Sequence, residues 1–338
     1  EAFVVKRADL TGRLPVAMIT HGKSASLVDM LAGRASDYAP FARDLAQRGY
    51  LSVVVLRRGF GQSDGPLPVT MTCDTKSYLP FFNADADDLQ GALEVIAKRQ
   101  DADPDRAIAI GESAGGAAVM ALAARNPKNL RGVINVSGGL QSVDCPKEDL
   151  LVSAFREFGA ASRVPTVWIY ANNDSLFGQQ LVERMQSAYL DGGGDVKLVM
   201  HDKYGTDGHR LFGEPTGRLK WLLEMDGFLR HHDLPTTQRD NVAELIKQLK
   251  MDPRGRSFLE QYLAAPTYKA IAITPDGKSF STQIGAPTPE VARKAVLEYC
   301  QEQFKVTEPC KIVMENDTWV GPQAIGSVER KVERPLER

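Results

Sequence analysis

The sequence predicts an α/β protein in which helices cover both faces of a mostly parallel sheet. Over residues 1–235, short apolar runs bounded by turn residues recur along the chain. Segments with helical periodicity lie between these runs, and strands that alternate with helices form parallel sheets because each crossover helix covers a face. A third observation is a change of composition near residue 235, which predicts a small α+β domain over 236–338.

The predicted elements of the first part follow one another regularly. The strands are short and rich in β-branched residues, and they cover 15–20, 51–56, 107–111, 132–137, 165–170 and 196–200. The amphipathic helices between them cover 38–48, 83–99, 115–126, 178–190 and 215–230. The helix at 83 opens with NADADD, and acidic residues in a first turn interact favourably with the helix dipole.

The second part begins with HHDLPTTQRDN, a polar segment with a proline that is typical of a linker. The predicted elements that follow are helices over 240–250, 255–263 and 288–303, a hairpin and a strand over 310–316. The hairpin is indicated by the turn Pro-Asp-Gly between YKAIAIT and SFSTQIG. The mixed-charge tail ERKVERPLER is expected to be solvated.

Composition narrows the class of protein. The 338-residue chain is 43% hydrophobic and 25% charged, as is usual for a soluble globular protein. Its net charge of −2 gives no basic field for nucleic acid, and no run approaches the roughly 18 apolar residues of a membrane span. The sequence indicates no cofactor and no oligomeric state.

Because Glu1 is not an initiator Met and lies in a strand-like run, we expect that an upstream segment, such as a targeting sequence, was removed.

Four cysteines bear on compartment and cross-linking. They are Cys73, Cys145, Cys300 and Cys310, and none forms a C-x-x-C pair of the zinc or thioredoxin type. An even number favours two disulfides and a periplasmic or secreted protein, whereas four buried thiols in a cytosolic protein remain the alternative. We predict the pairs Cys73–Cys145, between two excursions from the sheet, and Cys300–Cys310. Neither a calcium loop nor H-E-x-x-H occurs, and we predict no metal site.

The segment GESAG, residues 111–115, predicts a nucleophile. It follows a predicted strand and precedes a helix of small residues, the context in which the serine of G-x-S-x-G lies on a strained turn. Glycines on both sides allow strand and helix to approach closely, and the hydroxyl of Ser113 then lies at the carboxyl edge of the sheet. The alternative interpretation is a glycine-rich turn without chemistry.

A serine hydroxyl needs a base, and the base needs an acid that fixes its tautomer. His209 lies in the loop YGTDGHRLF between the last predicted strand and the last helix, and we predict that it is the base. Asp174 follows a predicted strand and is the predicted acid, with Asp207 in reserve. His201 is expected to cap a strand, and His231 and His232 are expected to be solvated.

Two backbone N–H groups are expected to hold the oxyanion of the reaction. One is that of Ala114, at the N-terminus of the helix after the serine, and the other is that of Lys23 in HGK. His21 would shape this loop.

Two excursions over 66–82 and 140–163 would line the pocket, with the candidate aromatic residues Phe81, Phe82, Phe155, Phe158 and Phe177.

The motifs HGK, RRGFGQSDG, GESAGG, YANND and DGH resemble, in this order, the dienelactone-hydrolase-like and prolyl-oligopeptidase-like branch of the α/β-hydrolases. The resemblance covers about residues 1–232 and implies the α/β-hydrolase fold and a triad of Ser113, Asp174 and His209. Dienelactone hydrolases have a cysteine where this chain has Ser113. The resemblance implies no activity for the C-terminal domain.

These observations predict a serine hydrolase that acts on small carboxylic esters through an acyl-enzyme. A serine peptidase with the same triad is one alternative. A non-catalytic binding protein that works through its C-terminal domain is another.

Overall fold

The structure is a computed structural model that describes residues 1–24, 26–66, 71–140, 142, 145–236, 245–247, 249, 255–265, 268–316 and 318–321. The chain divides into two compact units, Glu1–Gln238 and Arg239–Arg338. Parts of the predicted excursions, of the linker and of the helix over 240–250 lie outside the described residues, as does the charged tail.

The first unit contains a seven-stranded sheet. Its strands are β1 (Ala2–Val5), β2 (Leu14–Thr20), β3 (Leu51–Val55), β4 (Ala102–Glu112), β5 (Leu130–Val136), β6 (Thr166–Ala171) and β7 (Val196–His201). Their spatial order is β1-β3-β2-β4-β5-β6-β7. Strand β1 pairs with β3 in the antiparallel direction, and the other neighbours pair in parallel. The predicted fold class is confirmed.

Helices cover both faces of this sheet. They are α1 (Leu27–Ala32), α2 (Ala39–Gln47), α3 (Leu79–Ile96), α4 (Ala114–Ala123), α5 (Glu148–Ala161), α6 (Gln179–Asp191) and α7 (Pro215–His231), with 3₁₀ turns at Ala35–Tyr38 and Gly208–Leu211. Strands β2 and β3 are buried along their whole length. Successive residues of β2 contribute to different hydrophobic clusters, Val16 and Met18 to that of α3–α6, and Ala17 and Ile19 to that of α2 and α7. Alternate side chains point to opposite faces, so an uninterrupted apolar strand requires cover on both.

A buried ion pair joins α2 to α7, the helix that follows the loop of His209. The guanidinium of Arg48 donates to both carboxylate oxygens of Asp226, at 2.7 and 2.8 Å. Both side chains are almost inaccessible, at 3% and 2% exposed. Burial tends to raise the pKa of Asp226, but the charge and hydrogen bonds of Arg48 outweigh it and lower the pKa.

Two disulfides are present, and their pairing is the one predicted. Cys73 is bonded to Cys145, with Cα atoms 5.3 Å apart, and links the segments that precede α3 and α5. Nearby, the ammonium of Lys147 donates to the carbonyl of Thr75 at 2.9 Å. Cys300 is bonded to Cys310 across 10 residues in the second unit.

Among the described residues, none of the helices combines the length and hydropathy that a membrane span requires.

The second unit has an antiparallel sheet of four strands in the order β11-β10-β8-β9. The strands are β8 (Ala270–Ile273), β9 (Phe280–Gln283), β10 (Lys311–Glu315) and β11 (Thr318–Trp319), and the helices are α8 (Gly255–Ala264) and α9 (Pro289–Phe304). The turn at Pro-Asp-Gly joins β8 to β9, where Gly277 has a φ of 67°. The ammonium of Lys269 donates to the carbonyls of Leu263 and Ala265 at 2.6 and 2.9 Å, and so caps the end of α8.

Candidate active site

Ser113 lies between β4 and α4 in a strained backbone conformation. Its φ of 53° and ψ of −121° fall in a region that residues other than glycine rarely adopt. The backbone of neighbouring β5 and its loop holds it there, because Ser113 N donates to the carbonyl of Val136 at 3.1 Å and Gly139 N donates to the carbonyl of Ser113 at 2.9 Å. Strain of this kind persists where surrounding contacts impose it, and it is frequent at functional sites.

Glycines make this turn sterically possible. A Cβ atom on Gly111 would lie 2.1 Å from the carbonyl oxygen of Gly115, and one on Gly115 would lie 2.4 Å from that of His21. A Cβ atom on Gly116 would lie 2.5 Å from the Cα of Gly138. No side chain fits at these distances, so the glycines allow β4, α4 and the loop after β2 to meet around the serine.

The three residues predicted from the sequence as nucleophile, base and acid lie in hydrogen-bonding contact. The Nε2 atom of His209 is 3.1 Å from the Oγ of Ser113. The Nδ1 atom of His209 is 3.1 Å from both carboxylate oxygens of Asp174. One of these oxygens also accepts from the backbone N–H groups of Leu176 and Phe177, at 2.9 Å each. A carboxylate accepts only, so Nδ1 carries the proton and Nε2 can accept from the serine.

Further polar residues join the loop of the acid to the loop of the base. The side-chain oxygen of Asn173 accepts from Tyr204 N at 2.8 Å, and its amide donates to the Tyr204 carbonyl at 3.2 Å. The hydroxyl of Ser175 donates to Asp207 at 2.8 Å, and Asp207 also accepts from the backbone N–H of His209 at 2.9 Å. Asp207, the reserve acid, therefore caps the turn of His209 and is not the partner of its ring. The sequence signal for these contacts is the run of polar residues in YANND and GTDGH.

The electrostatic environment of His209 favours protonation of its ring. Its side chain is 19% exposed and that of Asp174 is fully buried. Burial lowers the pKa of His209, but the hydrogen bond and charge of Asp174 outweigh it, with help from Glu112 and Asp207. The net effect raises the pKa above 6.5.

Glu112 adds a second acidic side chain beside the serine. Burial raises the pKa of its carboxyl, against the opposing effects of His209, the Gly22 amide, the Tyr38 hydroxyl and Arg57. Burial likewise raises the pKa of Tyr38, and the charge of Glu112 reinforces the shift. No cluster of three or more potential metal-ligating side chains is found in the described part of the chain.

His21 has a structural position in the turn after β2. Its Nδ1 lies 2.7 Å from the carbonyl oxygen of Gly22, and its Nε2 accepts from the backbone N–H of Arg57 at 3.1 Å. Burial, aided by the charge of Arg57, puts the pKa of His21 well below 6.5 and keeps the ring neutral. The guanidinium of Arg57 donates to the carbonyl of His21 and to the hydroxyl of Thr20, both at 2.7 Å. Sequence reasoning did not assign Arg57 this role.

Two cavities flank the turn that contains Lys23. A cleft of about 320 Å³, here called the polar cleft, is lined by polar residues that include Ser113, His209, Glu112, Tyr38 and Arg34. Met30, Leu56 and Phe60 add apolar lining to it, and Phe60 also borders the second cavity. An apolar cavity of about 260 Å³ is lined by Ala114, Phe60, Pro66, Pro80, Phe81, Ala84 and Leu140, together with charged residues at its edge. Lys23 borders both cavities. A larger depression of about 620 Å³, lined by Thr75, Lys147 and Arg184 among others, does not include the three contacting residues.

The structure changes the assignment of the predicted pocket phenylalanines. Phe81 lines the apolar cavity. Phe82, Phe155 and Phe158 are buried in the hydrophobic core between the sheet and α3–α6, and neither cavity includes them among its lining residues. Phe177 is also buried in that core, but its ring lies 5.6 Å from that of His209 and packs behind the base.

Comparisons with known proteins find similarity over part of the chain. The family model described as Serine aminopeptidase, S33 matches residues 26–175, which include Ser113 and Asp174. A protein of Nocardia uniformis subsp. tsuyamanensis named "Putative esterase NocK" is 31% identical over 162 residues, which make up 48% of this chain and 40% of that protein. The match thus spans less than half of the length of this curated relative.

Solved structures share the fold at low sequence identity. Dipeptidyl peptidase 4 of Porphyromonas gingivalis superposes with a TM-score of 0.50 and 17% identity, over 68% of this chain and 33% of that one. The esterase Est2 of Thermogutta terrifontis, solved with propionate, has a TM-score of 0.48 and 17% identity, over 68% of this chain and 88% of that one. The dienelactone hydrolase-like promiscuous phosphotriesterase P91 from metagenomic libraries has a TM-score of 0.48 and 14% identity, over 68% and 92%.

The likeness to dipeptidyl peptidase 4 concerns the fold alone. The order of the strands and the match to the family model confirm the resemblance to the α/β-hydrolases that the sequence motifs indicated. The first unit of this chain has the α/β-hydrolase fold.

Proposed function

We propose that this chain is a serine hydrolase that cleaves carboxylic esters through an acyl-enzyme on Ser113. The observation that supports the proposal is the continuous hydrogen-bonded series from Ser113 Oγ through both ring nitrogens of His209 to Asp174. In this arrangement a weak nucleophile has a base within reach, and the base has an acid that orients it.

Each step of the proposed reaction uses a group at the site. As Ser113 Oγ bonds to the ester carbonyl carbon, its proton moves to Nε2 of His209, and Asp174 stabilises the imidazolium that forms. The N–H groups of Ala114 and Lys23 donate to the oxyanion. The bond to the alcohol then breaks, and the alcohol oxygen takes the proton from Nε2. Water attacks the acyl-enzyme and gives a proton to His209. The bond between the acyl carbon and Ser113 Oγ then breaks, Oγ takes the proton from Nε2, and the carboxylic acid leaves.

The positions of the two proposed oxyanion donors support their role. Ala114 is the first residue of α4, and the N–H groups at a helix N-terminus have no partner within the helix. Lys23 lies in the turn after β2, where a Cβ on the preceding Gly22 would be 3.2 Å from the Cβ of Ser113. The turn is thus close enough to Ser113 for a main-chain donor to reach an oxyanion formed there.

A serine peptidase with the same residues is the second candidate. The matched family is described as a serine aminopeptidase, and this description favours cleavage of amides. An amine leaving group must be protonated as it departs, so amide cleavage demands tighter placement of the general acid than ester cleavage does. We therefore expect p-nitrophenyl acetate or butyrate to react with a higher kcat/KM than any aminoacyl or prolyl p-nitroanilide.

The proposal is tested with a fluorophosphonate probe and the variant Ser113→Ala. The wild-type protein should be labelled at Ser113 and should hydrolyse the p-nitrophenyl esters, whereas Ser113→Ala should do neither. Loss of a triad member typically lowers kcat by about 10⁴–10⁶-fold. Retention of a tenth of the activity in a folded Ser113→Ala protein would show that another residue is the nucleophile. A higher kcat/KM for an anilide would favour the peptidase.

We also propose a periplasmic or extracellular location and an accessory role for the second domain. Disulfides form and persist in oxidising compartments, and this chain has two. All proposed catalytic groups lie within residues 1–235, so residues 236–338 would not take part in the chemistry. Peptide mapping under non-reducing conditions on protein from its native host should recover both cross-linked pairs, and recovery of four free thiols would contradict the location.

A further inference from the structure

We propose that the apolar cavity receives the acyl group of the ester and that the polar cleft receives its alcohol. The substrates would then be esters of compact, apolar acids of about phenyl size with hydroxyl-bearing alcohols. This inference rests on the proposed function, because it assigns the two sides of the scissile bond relative to Ser113 and His209.

The direction of the ester follows from the position of the base. The leaving oxygen must lie within hydrogen-bond reach of Nε2 of His209, since this atom returns the proton. Nε2 is 3.1 Å from Ser113 Oγ, and both residues line the polar cleft. The apolar cavity is instead bordered by Ala114, the proposed oxyanion donor next to the nucleophile. An ester whose alcohol lies in the cleft therefore directs its acyl group into the apolar cavity.

The walls of the apolar cavity fit an uncharged hydrocarbon group. Pro80, Phe81 and Ala84 belong to the start of α3, and Phe60 and Leu140 lie on adjoining loops. The volume of about 260 Å³ exceeds the roughly 150 Å³ of an apolar cavity that binds benzene. An acetyl group would leave most of this space unfilled, whereas a phenylacetyl group would bury its ring there.

Arg57 and Arg58, at the edge of the cavity, are each paired with an acidic residue of α3. The guanidinium of Arg57 is 3.1 Å from Asp85. The guanidinium and backbone N–H of Arg58 both donate to Asp88 at 2.8 Å. Burial lowers the pKa of the Lys23 ammonium, although the charge of Asp85 opposes this. The paired charges at this edge favour a neutral acyl group over one with its own carboxylate.

The polar cleft offers hydrogen-bonding groups to an alcohol. Its lining includes Asp29, Arg34, Asp37, Tyr38 and Glu112, which supply both donors and acceptors. An alkyl chain in this cleft would remove water from these groups without replacing their hydrogen bonds, and this desolvation is unfavourable. A glyceryl or sugar alcohol can replace them.

Two substitutions test the assignment on opposite sides of Ser113. Ala84→Leu should narrow the apolar cavity, and Met30→Phe should narrow the cleft. Gly91→Leu is the control, because Gly91 is exposed on the same helix as Ala84 and has no atom within 4 Å of its Cβ position. The readouts are the kcat/KM ratio of p-nitrophenyl phenylacetate to acetate and the ratio of glyceryl to methyl phenylacetate.

The wild-type protein should prefer phenylacetate to acetate and the glyceryl ester to the methyl ester. Ala84→Leu should lower the first ratio by about 10–100-fold, since misfit of one or a few methylenes in an apolar pocket has effects of this size. Met30→Phe should lower the second ratio and leave the first within about threefold, and Gly91→Leu should change neither.

The outcomes separate this inference from the function on which it rests. Suppose that hydrolysis depends on Ser113, but that Ala84→Leu leaves the phenylacetate-to-acetate ratio unchanged or that Met30→Phe alters this ratio instead. Either result would overturn the assignment of the cavities and leave the proposed function standing. Failure to hydrolyse every ester, together with no labelling of Ser113 by the fluorophosphonate, would overturn the proposed function as well.

Discussion

The turn of Ser113 and the loops of Asp174 and His209 are held in place by different forces. Around the serine, glycines bring backbone atoms so close that no side chain fits, and the strained φ of 53° is imposed by strands and helix. The acid and the base lie on loops that are joined by side-chain hydrogen bonds, such as those of Asn173 and Asp207. The serine turn requires glycines, which have no side chain, whereas the loops of Asp174 and His209 require particular polar side chains.

The two halves of the site should therefore be sensitive to different kinds of substitution. A methyl group added to the glycine turn must displace backbone, because the contacted atoms include main-chain atoms of α4, of the turn after β2 and of the loop after β5. A side chain removed from the loops leaves the fold intact and loosens the position of the ring. Substitutions in either half should lower activity, and their expected effects differ in size.

Removal of the base should have the largest effect. His209→Ala should lower kcat for ester hydrolysis by about 10⁴–10⁶-fold, because the members of a triad act as a unit. His201→Ala is the matched control, since His201 ends β7 and a different histidine contacts Ser113. Initial rates with p-nitrophenyl butyrate provide the measurement. If His201→Ala were the inactive variant and His209→Ala the active one, the role of base would move to His201.

A methyl group in the serine turn should have the next largest effect. In Gly116→Ala the new Cβ would lie 2.3 Å from the side-chain oxygen of Asn135 and 2.5 Å from the Cα of Gly138. Overpacking should lower the free energy of unfolding by about 1–3 kcal/mol. A shift of the serine by about 1 Å can lower activity by about 10²-fold.

The control for this variant is Gly91→Ala, where nothing lies within 4 Å of the added atom. Urea unfolding and kcat/KM should both stay near wild type there, and the helix should gain slightly because alanine is the better helix former. Equal behaviour of the two alanine variants would mean that close backbone approach does not hold the serine.

Loosening of the histidine loop should have a moderate effect. Asp207→Ala removes the cap that accepts from the backbone N–H of His209 and from Ser175. A cap of this kind contributes about 1 kcal/mol, and such an energy corresponds to about a fivefold loss of kcat. Asp202→Ala, an exposed acid earlier in the same loop, should be near wild type. A loss in Asp207→Ala as large as that in Asp174→Ala would make Asp207 the acid of the site.

The smallest effect should be a displacement of the pH profile. With the neutral ring of His209 as the proposed base, activity should fall as the pH decreases through its raised pKa, and the acid limb of kcat/KM should lie above 6.5. Glu112→Gln removes a negative charge that raises this pKa, so the limb should move to lower pH. Profiles over pH 5–9 with one ester measure the displacement, and movement to higher pH would contradict the electrostatic explanation.

Local sequence predicts the strained turn at Ser113, the proposed nucleophile, and the order of the proposed site residues. Gly111, Gly115 and Gly116 around Ser113 predict the turn, because strand and helix must approach each other closely there. The positions of Asp174 and His209 after strands also follow from the alternation of elements, because parallel strands end at one edge of the sheet. The pair Cys73–Cys145 was predicted from two excursions over that edge, and Cys300–Cys310 was predicted from a helix end and the start of the next strand.

Only the tertiary structure decided which of several equivalent residues takes each role. Phe81 and Phe82 are neighbours on α3, yet one lines the apolar cavity and the other is buried in the core, because successive helical residues point about 100° apart. The buried face of α3 is the apolar stripe of Phe82, Ala86, Leu89, Leu93 and Ile96, and Phe81 lies outside this stripe. Likewise, Asp174 and not Asp207 contacts the ring of His209, since the loops of β6 and β7 bring that carboxylate to Nδ1. The sequence ranked Asp174 ahead of Asp207 but kept both, because the approach of a carboxylate to a ring nitrogen depends on how the two loops pack.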